Sequence, residues 1–379
     1  MHLYIVGVHW PPETFIERKV RGLAEQGVEV TVCTPAGNAR SQGTPDHVHV
    51  VAFGGYRPVR ALVRTALQFA GKALRHPHAV GRAWRLVRAD ASGQLQACLK
   101  YLDIVPLIGH RPDLIHFEWN SAAVSYGFLA ELLQCPFIVS CRGSQVQIAP
   151  HNPHRRTFVD GMVATFKRAA AVHCVSDAIK QEAIKLGLDP AKAWVIRPAV
   201  DPNFFFPAPA ERRADSTLHI VTTGALIWRK GYEYALLAIR RLVEQGVPVH
   251  FEIIGDGPER QRVLYTLDDL HLHEHVHLLG RLSPEAVRDR LQRADVFLLA
   301  SLSEGIANAA LEAMACGLPV VTTDCGGMRE AVTDGVEGFV VPVRDPAAMA
   351  EALQKLASDA DLRAAMGARA RERILREFT

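Results

Sequence analysis

Short apolar runs recur along this chain, each followed by a small-residue or polar loop and then a stretch of helical period. Residues 3–6 are apolar. A loop with two prolines follows, and a helix is predicted over about 13–26, stopping at Gly27, with a second apolar run at 28–33. Strand, helix and strand in that order require a crossover connection and predict a parallel sheet. Strand-like runs return at 113–118, 136–141 and 171–176, where Ser176 is placed to cap a helix over 177–186. The rhythm restarts with a strand at 218–223, a loop at 224–231, a helix over 232–244 and strands at 249–255 and 277–282. Further helices begin near Asp345 and Asp361. The clearest instance spans 295–321. An apolar run (DVFLLA) is followed by a helix-forming segment rich in Ala, Leu, Glu and Met, a glycine stop at Gly317, Pro319, and a new strand at Val320.

Two glutamates mark that last stretch. Glu304 lies at the C-terminal end of a strand, where open parallel sheets bind ligands. The helix behind it offers free N–H groups and a positive dipole end to an anion. Glu312 stands eight residues further on, a rise of about 12 Å if all of it is helix. The acid and nucleophile of a hydrolase stand roughly 5–10 Å apart, so these two are read as contacting separate parts of one extended ligand. Taken singly, either reads more readily as a surface glutamate. Arg229 and Lys230 fall in the loop after the 218–223 strand, just before a helix, where two cations suit a departing diphosphate. No GxGxxG follows the first strand, which argues against a dinucleotide-dependent oxidoreductase.

Composition narrows the class. At 379 residues two domains are expected, and the Pro- and aromatic-rich segment 194–207 followed by a polar stretch places the boundary near 200–215, giving domains 1–205 and 206–379. A net charge of +3 does not suggest a nucleic-acid partner. Seven scattered cysteines without a CxxC pair read as reduced core thiols of a cytosolic protein, and no metal site is indicated. The N-terminus shows neither a charged region nor a long apolar one, so no signal peptide is expected, and no apolar run is long enough to span a membrane. Residues 47–89 depart from this ordinary balance. They hold eight Lys or Arg (57, 60, 64, 72, 75, 82, 85, 88) and no Asp or Glu, with Leu62, Leu67, Phe69, Leu74, Trp84 and Leu86 interleaved. Through 57–88 this basic amphipathic pattern suits an anionic membrane surface, hence a cytoplasmic protein peripheral on the inner face. It equally suits a solvated helix pair packed on a sheet.

The run Glu304-Gly-Ile-Ala-Asn-x-x-Leu-Glu-Ala-Met-Ala-x-Gly-x-Pro-Val-Val321 resembles the E-x7-E region of retaining GT-B glycosyltransferases of the GT4 type. Most members read Glu-Gly-Phe-Gly in the loop, and here Ile306 and Ala307 replace the Phe and the second Gly. Pro-Glu13-Thr14-Phe-Ile resembles the start of a subgroup involved in bacterial surface and exopolysaccharide synthesis. Arg142-Gly143-Ser144 is similar to that family's Thr-x-His-Gly or Arg-Gly-Ser-Asp tip, with Arg142 where a His is widespread. Arg197-Pro-Ala-Val-Asp201, Arg229-Lys-Gly231 and the segments 255–259, 277–282, 323–330 and 334–341 extend the likeness over nearly the whole chain.

The resemblance implies an α/β GT-B fold, with two Rossmann-like doubly wound domains facing across a cleft, an acceptor side first and a donor side second. It implies metal-independent, retaining transfer of a sugar from a nucleotide diphosphate sugar, a co-substrate with no further cofactor, to a hydroxyl of a glycan or lipid-linked acceptor. Glu304 would hold sugar hydroxyls and Glu312 the ribose. Arg229, Lys230 and the amides of Gly305, Ile306, Ala307 and Asn308 would stabilise the diphosphate. Gly224, Arg281 and Leu282 would line the donor and base region. Glu13, Thr14, His116, Arg142, Gly143 and Ser144 would face the cleft from the acceptor side. In relatives the final helix crosses back to the first domain in a segment that continues past the position of Thr379, so either a shortened chain or a differently arranged tail is expected here. A nucleotide-sugar epimerase of the same fold and a non-catalytic sugar-nucleotide binder remain alternatives. A glycan phosphorylase would call for a pyridoxal phosphate lysine and a longer chain.

Overall fold

A computed structural model describes residues 1–34, 44–52, 59–208 and 216–379. Arg57 lies outside them, and of Arg60, Leu62 and Arg64 only the backbone is described. The chain divides into two compact units, Met1–Cys174 with Lys180–Val195, and Val175–Ile179 with Ile196–Thr379.

The first unit holds a sheet of seven strands: β1 (His2–Val6), β2 (Glu29–Thr34), β3 (Val48–Ala52), β4 (Leu114–Phe117), β5 (Phe137–Cys141), β6 (Ala171–Cys174) and β7 (Ala193–Val195). Every pairing is parallel, in the order β3-β2-β1-β4-β5-β6-β7. Near-continuous apolar strands are what burial on both faces demands. Helix Thr14–Glu25 crosses from β1 to β2 and buries Ile16, Val20 and Ala24, spaced four apart, against Ile5, Val30 and Val32. Fully burying a Val or Ile side chain stabilises by about 1.5–3 kcal/mol, so this one stripe fixes the helix on the sheet. Thr14 is the first residue of this helix, and Glu13 occupies the cap position without a side-chain cap bond.

The basic region 47–89 opens as strand β3, which removes its first residues from any amphipathic helix. Helices Val59–Arg75 and Pro77–Asp90 carry the rest. Five cysteines are buried as core thiols, but Cys98 is exposed on helix Gln94–Ile104 and Cys135 is half-buried.

The second unit repeats the plan with six parallel strands: β8 (Leu218–Thr223), β9 (Val249–Ile254), β10 (Val276–Gly280), β11 (Val296–Leu299), β12 (Val320–Thr323) and β13 (Gly338–Val341), in the order β10-β9-β8-β11-β12-β13. One face packs Ile220, Phe251 and Ile253 under helix Tyr232–Glu244, and the other packs Val221, Phe297 and Leu299 under helix Asn308–Ala315. Asp345 caps helix Pro346–Ser358 by accepting from the Ala348 amide at 2.9 Å. The last helix, Ala360–Glu377, packs within this unit, burying Ala370 and Ile374 beside Phe205 and Met314.

Both sheets reverse their order at the first strand. The chain leaves β1 toward β2 and later returns to lay β4 on the other side of β1, and β8 and β11 are related in the same way. Ligands of open α/β sheets bind outside the strand C-termini at such switch points.

Candidate functional site

At the switch point of the second unit two loops meet, one after β8 and one after β11. Their approach rests on Gly231. It sits at φ +60°, and a Cβ there would lie 2.3 Å from the Ala300 carbonyl oxygen. The Leu302 amide donates to the Arg229 carbonyl at 2.7 Å and ties the loops together. Lys230, the last residue of the turn Trp228–Lys230, thereby reaches Glu304, with its Nζ donating to Oε1 at 2.6 Å. Ser301 Oγ donates to the same oxygen at 2.8 Å, and Thr323 Oγ1 holds the Ser301 carbonyl in turn. Both ends of the Lys230–Glu304 pair are 17% exposed, so the pair is accessible to a small ligand but only lightly solvated. Tyr232 donates its hydroxyl to the Gly224 carbonyl at 3.0 Å. Burial, reinforced by the Glu304 charge, pushes its phenol well above the ordinary range, so it stays a proton donor. Beside Thr323, burial raises the Cys325 thiol to about 12, which keeps it a neutral wall residue.

Behind Glu304 the chain enters helix Asn308–Ala315 with Ala307 at the cap position and no side-chain cap bond. The opening amides of a helix have no intrahelical partner, so Asn308 and Ala309 leave their N–H groups for a ligand. The helix starts at Asn308, so the eight residues between Glu304 and Glu312 are only half helical and the straight rise of about 12 Å does not describe them. Glu312 lies on the second turn, half-buried. Not every loop amide is free, because Ala307 N–H points at Met328 Sδ at 3.4 Å. The side chains of Ile306 and Ala307 are buried in the core, so at these positions any ligand meets backbone. The Gly305 carbonyl accepts from Gly327 N–H at 2.6 Å, and a Cβ on Gly327 would strike both that oxygen and Ser176. Ser176 Oγ in turn accepts from the Ile179 amide at 3.1 Å and caps helix Asp177–Lys185. Arg229 is half-buried and makes no ion pair among the described residues. Arg281 is exposed after β10, and Leu282 packs against the core.

At the switch point of the first unit a second charged group forms. Glu118, one residue past β4, is wholly buried. Its two oxygens accept from Lys19 and from Arg142, and Arg142 Nε also donates to the Glu118 carbonyl at 3.3 Å. The guanidinium lies 4.7 Å from the Phe15 ring centre and 5.8 Å from that of Trp119, within cation–π range. Burial lowers the Arg142 pKa to about 10, against a smaller opposing effect of Glu13, so it remains charged at neutral pH.

His116 completes a relay. Lys19 is a donor only, so its 3.2 Å contact makes His116 Nδ1 an acceptor. Nε2–H then faces Ser140 Oγ at 2.8 Å, and Ser140 faces His173 Nδ1 at 2.8 Å. Burial first, then Lys19, His173 and Arg142, hold His116 well below the usual imidazole range, and it is neutral. Gly143, at φ +132°, and Ser144 lead into the short helix Ser144–Gln147, while Glu13 and Thr14 are exposed.

The structure thus brings Lys230 to Glu304, with Gly224, Gly305 and the helix start around them, and Arg142 to the neighbourhood of His116. It leaves Arg281 and Thr14 on the surface without a specific side-chain partner among the described residues. Thr323 and Phe15 fall in segments that the family resemblance covers, but Ser301 and Tyr232 around Glu304, and Lys19, Glu118 and Trp119 around Arg142, are not among the site residues expected from the sequence. Of these only Glu118 left a signal, as an acid directly after an apolar strand. Among the described residues no group of three or more His, Cys, Asp or Glu is arranged to hold a metal ion, and no helix is long and apolar enough to cross a membrane.

Two family descriptions match the chain almost end to end. "Glycosyl transferase 4-like domain" matches residues 12–199, and "Glycosyl transferases group 1" matches residues 208–373. The chain belongs to the GT4, or group 1, glycosyltransferase family. Among curated relatives it is 34% identical over 220 residues to the putative colanic acid biosynthesis glycosyltransferase WcaL of Escherichia coli K12, covering 56% of this chain and 54% of that one. It is 30% identical over 189 residues to the phosphatidylinositol N-acetylglucosaminyltransferase gpi3 subunit of Schizosaccharomyces pombe, covering 50% and 41%. The matches thus span about half or less of the length of these relatives. Among solved structures, sucrose-phosphate synthase from Thermosynechococcus elongatus matches with a TM-score of 0.74 at 19% identity over 100% of this chain and 95% of that one. Anabaena HepE in complex with UDP-glucose matches with 0.73 at 18% identity over the same shares. At such identities the likeness is one of fold, and the fold is GT-B.

Proposed function

We propose that this GT4 family member transfers a sugar from a nucleotide diphosphate sugar to an acceptor hydroxyl with retention of configuration and without a metal, in the synthesis of a surface polysaccharide or glycolipid. The observation that carries the reading is the Lys230–Glu304 pair at the second switch point, set directly before an uncapped helix start. A leaving diphosphate needs donors that are already in place where charge develops. Lys230, Arg229 and the amides of Asn308 and Ala309 supply them. Glu304 both anchors Lys230 and offers its second oxygen to sugar hydroxyls, while Glu312, half-buried on the helix behind, would take the ribose. No protein nucleophile is required, because the leaving phosphate can take the acceptor proton on the same face of the sugar. The relatives named for colanic acid and phosphatidylinositol chemistry support an acceptor that is a glycan or is linked to lipid, and HepE, solved with UDP-glucose, supports a UDP-sugar donor.

The test is transfer from radiolabelled UDP- and GDP-sugars to acceptor extracts. Glu304→Ala and Arg229→Ala should each lower turnover about 100-fold or more, EDTA should leave it unchanged, and the anomeric coupling of the product should match the donor's. A wild-type chain that binds the donor and moves no sugar would establish the non-catalytic alternative. Release of a free epimer without acceptor would establish the other.

A further inference from the structure

The first unit's switch point holds charges that its fold does not require. Replacing a buried ion group by apolar side chains of similar size is often neutral or stabilising, yet Glu118 is 0% exposed and two cations close on it from different elements, Lys19 from the first helix and Arg142 from the end of β5. Solvent reaches the cations and not the carboxylate, since Lys19 is 28% and Arg142 16% exposed. The two basic groups therefore face outward and their counter-charge lies behind them; burial first and then Arg142 pull the Lys19 pKa well below the usual lysine range, and the bond to the Glu118 carboxylate is what holds its ammonium there. Both are held in position, Arg142 between its Glu118 bonds and the Phe15 and Trp119 rings, and Lys19 between Glu118 and neutral His116. The other carboxylate acting on Arg142 is Glu13, exposed at the rim and paired with neither cation.

We propose that Lys19 and Arg142 bind an oxyanion substituent of the acceptor, a carboxylate or a phosphate, with Glu118 as the buried positioning residue that aims both donors. The acceptor is then an acidic or phosphorylated saccharide, and the Phe15 and Trp119 rings wall the subsite. That the bound saccharide is the acceptor rests on the transferase reading; the anion subsite rests on the first unit's geometry alone. The test is calorimetric titration of the full chain with methyl β-glucuronide, glucose 6-phosphate and neutral methyl β-glucoside. At least one anionic sugar should bind about tenfold tighter than the glucoside. That preference should vanish in Lys19→Met and in Arg142→Gln, fall with added salt, and survive in Lys230→Met, with thermal melting confirming that each variant is folded. Preference for the glucuronide identifies a carboxylate-bearing acceptor, and preference for the phosphate a phosphorylated one. The proposal is overturned if neither anionic sugar binds more tightly than the glucoside, or if the preference persists in folded Lys19→Met. Should UDP-sugars fail to bind while the preference still follows Lys19, the transferase reading falls and the anion subsite stands.

Discussion

Gly231 shows how one residue carries the donor-side geometry. Its left-handed backbone and the Ala300 carbonyl against its missing side chain let the β8 loop lie on the β11 loop, and only then does Lys230 reach Glu304. Gly231→Ala should cost roughly 1–2 kcal/mol from backbone conformation alone, and the clash adds to it. Urea unfolding should show the loss, and UDP-sugar affinity should fall with it, because Lys230 is displaced. If stability drops while affinity holds, the pair does not depend on this contact. The Arg229-Lys230-Gly231 triplet is legible in the sequence as a basic turn before a helix. That Lys230 rather than Arg229 is spent on Glu304 is not legible, because 74 residues separate the partners.

At the scale of elements, the three helices Val59–Arg75, Pro77–Asp90 and Gln94–Ile104 carry the features on which the two readings of the basic region differ. Phe69 and Trp84 each meet Tyr101 edge-on, at 6.0 and 5.4 Å between ring centres, so the three helices share an aromatic patch. On the same three helices Leu74 is 86%, Leu95 75% and Leu67 71% exposed, and Arg75, Arg85 and Arg88 are exposed as well. Exposed leucines among cations, with no acid from 47 to 89, favour the membrane-surface reading over a solvated helix pair. The full chain should float with vesicles containing phosphatidylglycerol and not with pure phosphatidylcholine. Leu74→Asp combined with Leu95→Asp should abolish flotation and leave thermal melting within a few degrees of wild type. Flotation that is indifferent to lipid charge would refute the electrostatic part of this reading. The basic amphipathic pattern made a helix pair readable within 57–88, while helix Gln94–Ile104 was not anticipated. Which leucines point outward depends on how the three pack together.

At the scale of the whole chain, buried imidazoles make stability depend on pH. His110, bonded to the Tyr4 hydroxyl at 2.5 Å, is lowered to about 4 by burial and by the nearby Lys72, His2 and His76, and His116 is depressed as well. A histidine whose folded pKa lies below its unfolded value of about 6.5 binds more protons when unfolded. Its stabilising contribution is therefore complete above about 6.5 and is lost as pH falls toward 4. The urea midpoint should drop between pH 7.5 and pH 5, and His110→Gln should flatten part of that drop. An unchanged midpoint would place these residues outside the cooperative unfolding unit.

By itself the sequence determined the two parallel sheets, the loops at their strand ends and the E-x7-E stretch of the GT4 family, because strand and helix periods and glycine stops are local properties of the chain. Tertiary structure alone decided that Glu304 holds Lys230, that Ile306 and Ala307 turn inward, and that Lys19, Glu118 and Arg142 converge. Each of those facts depends on which strand lies beside which. A switch point joins the segment after a sheet's first strand to loops after strands far along the chain, and no local pattern records that neighbourhood.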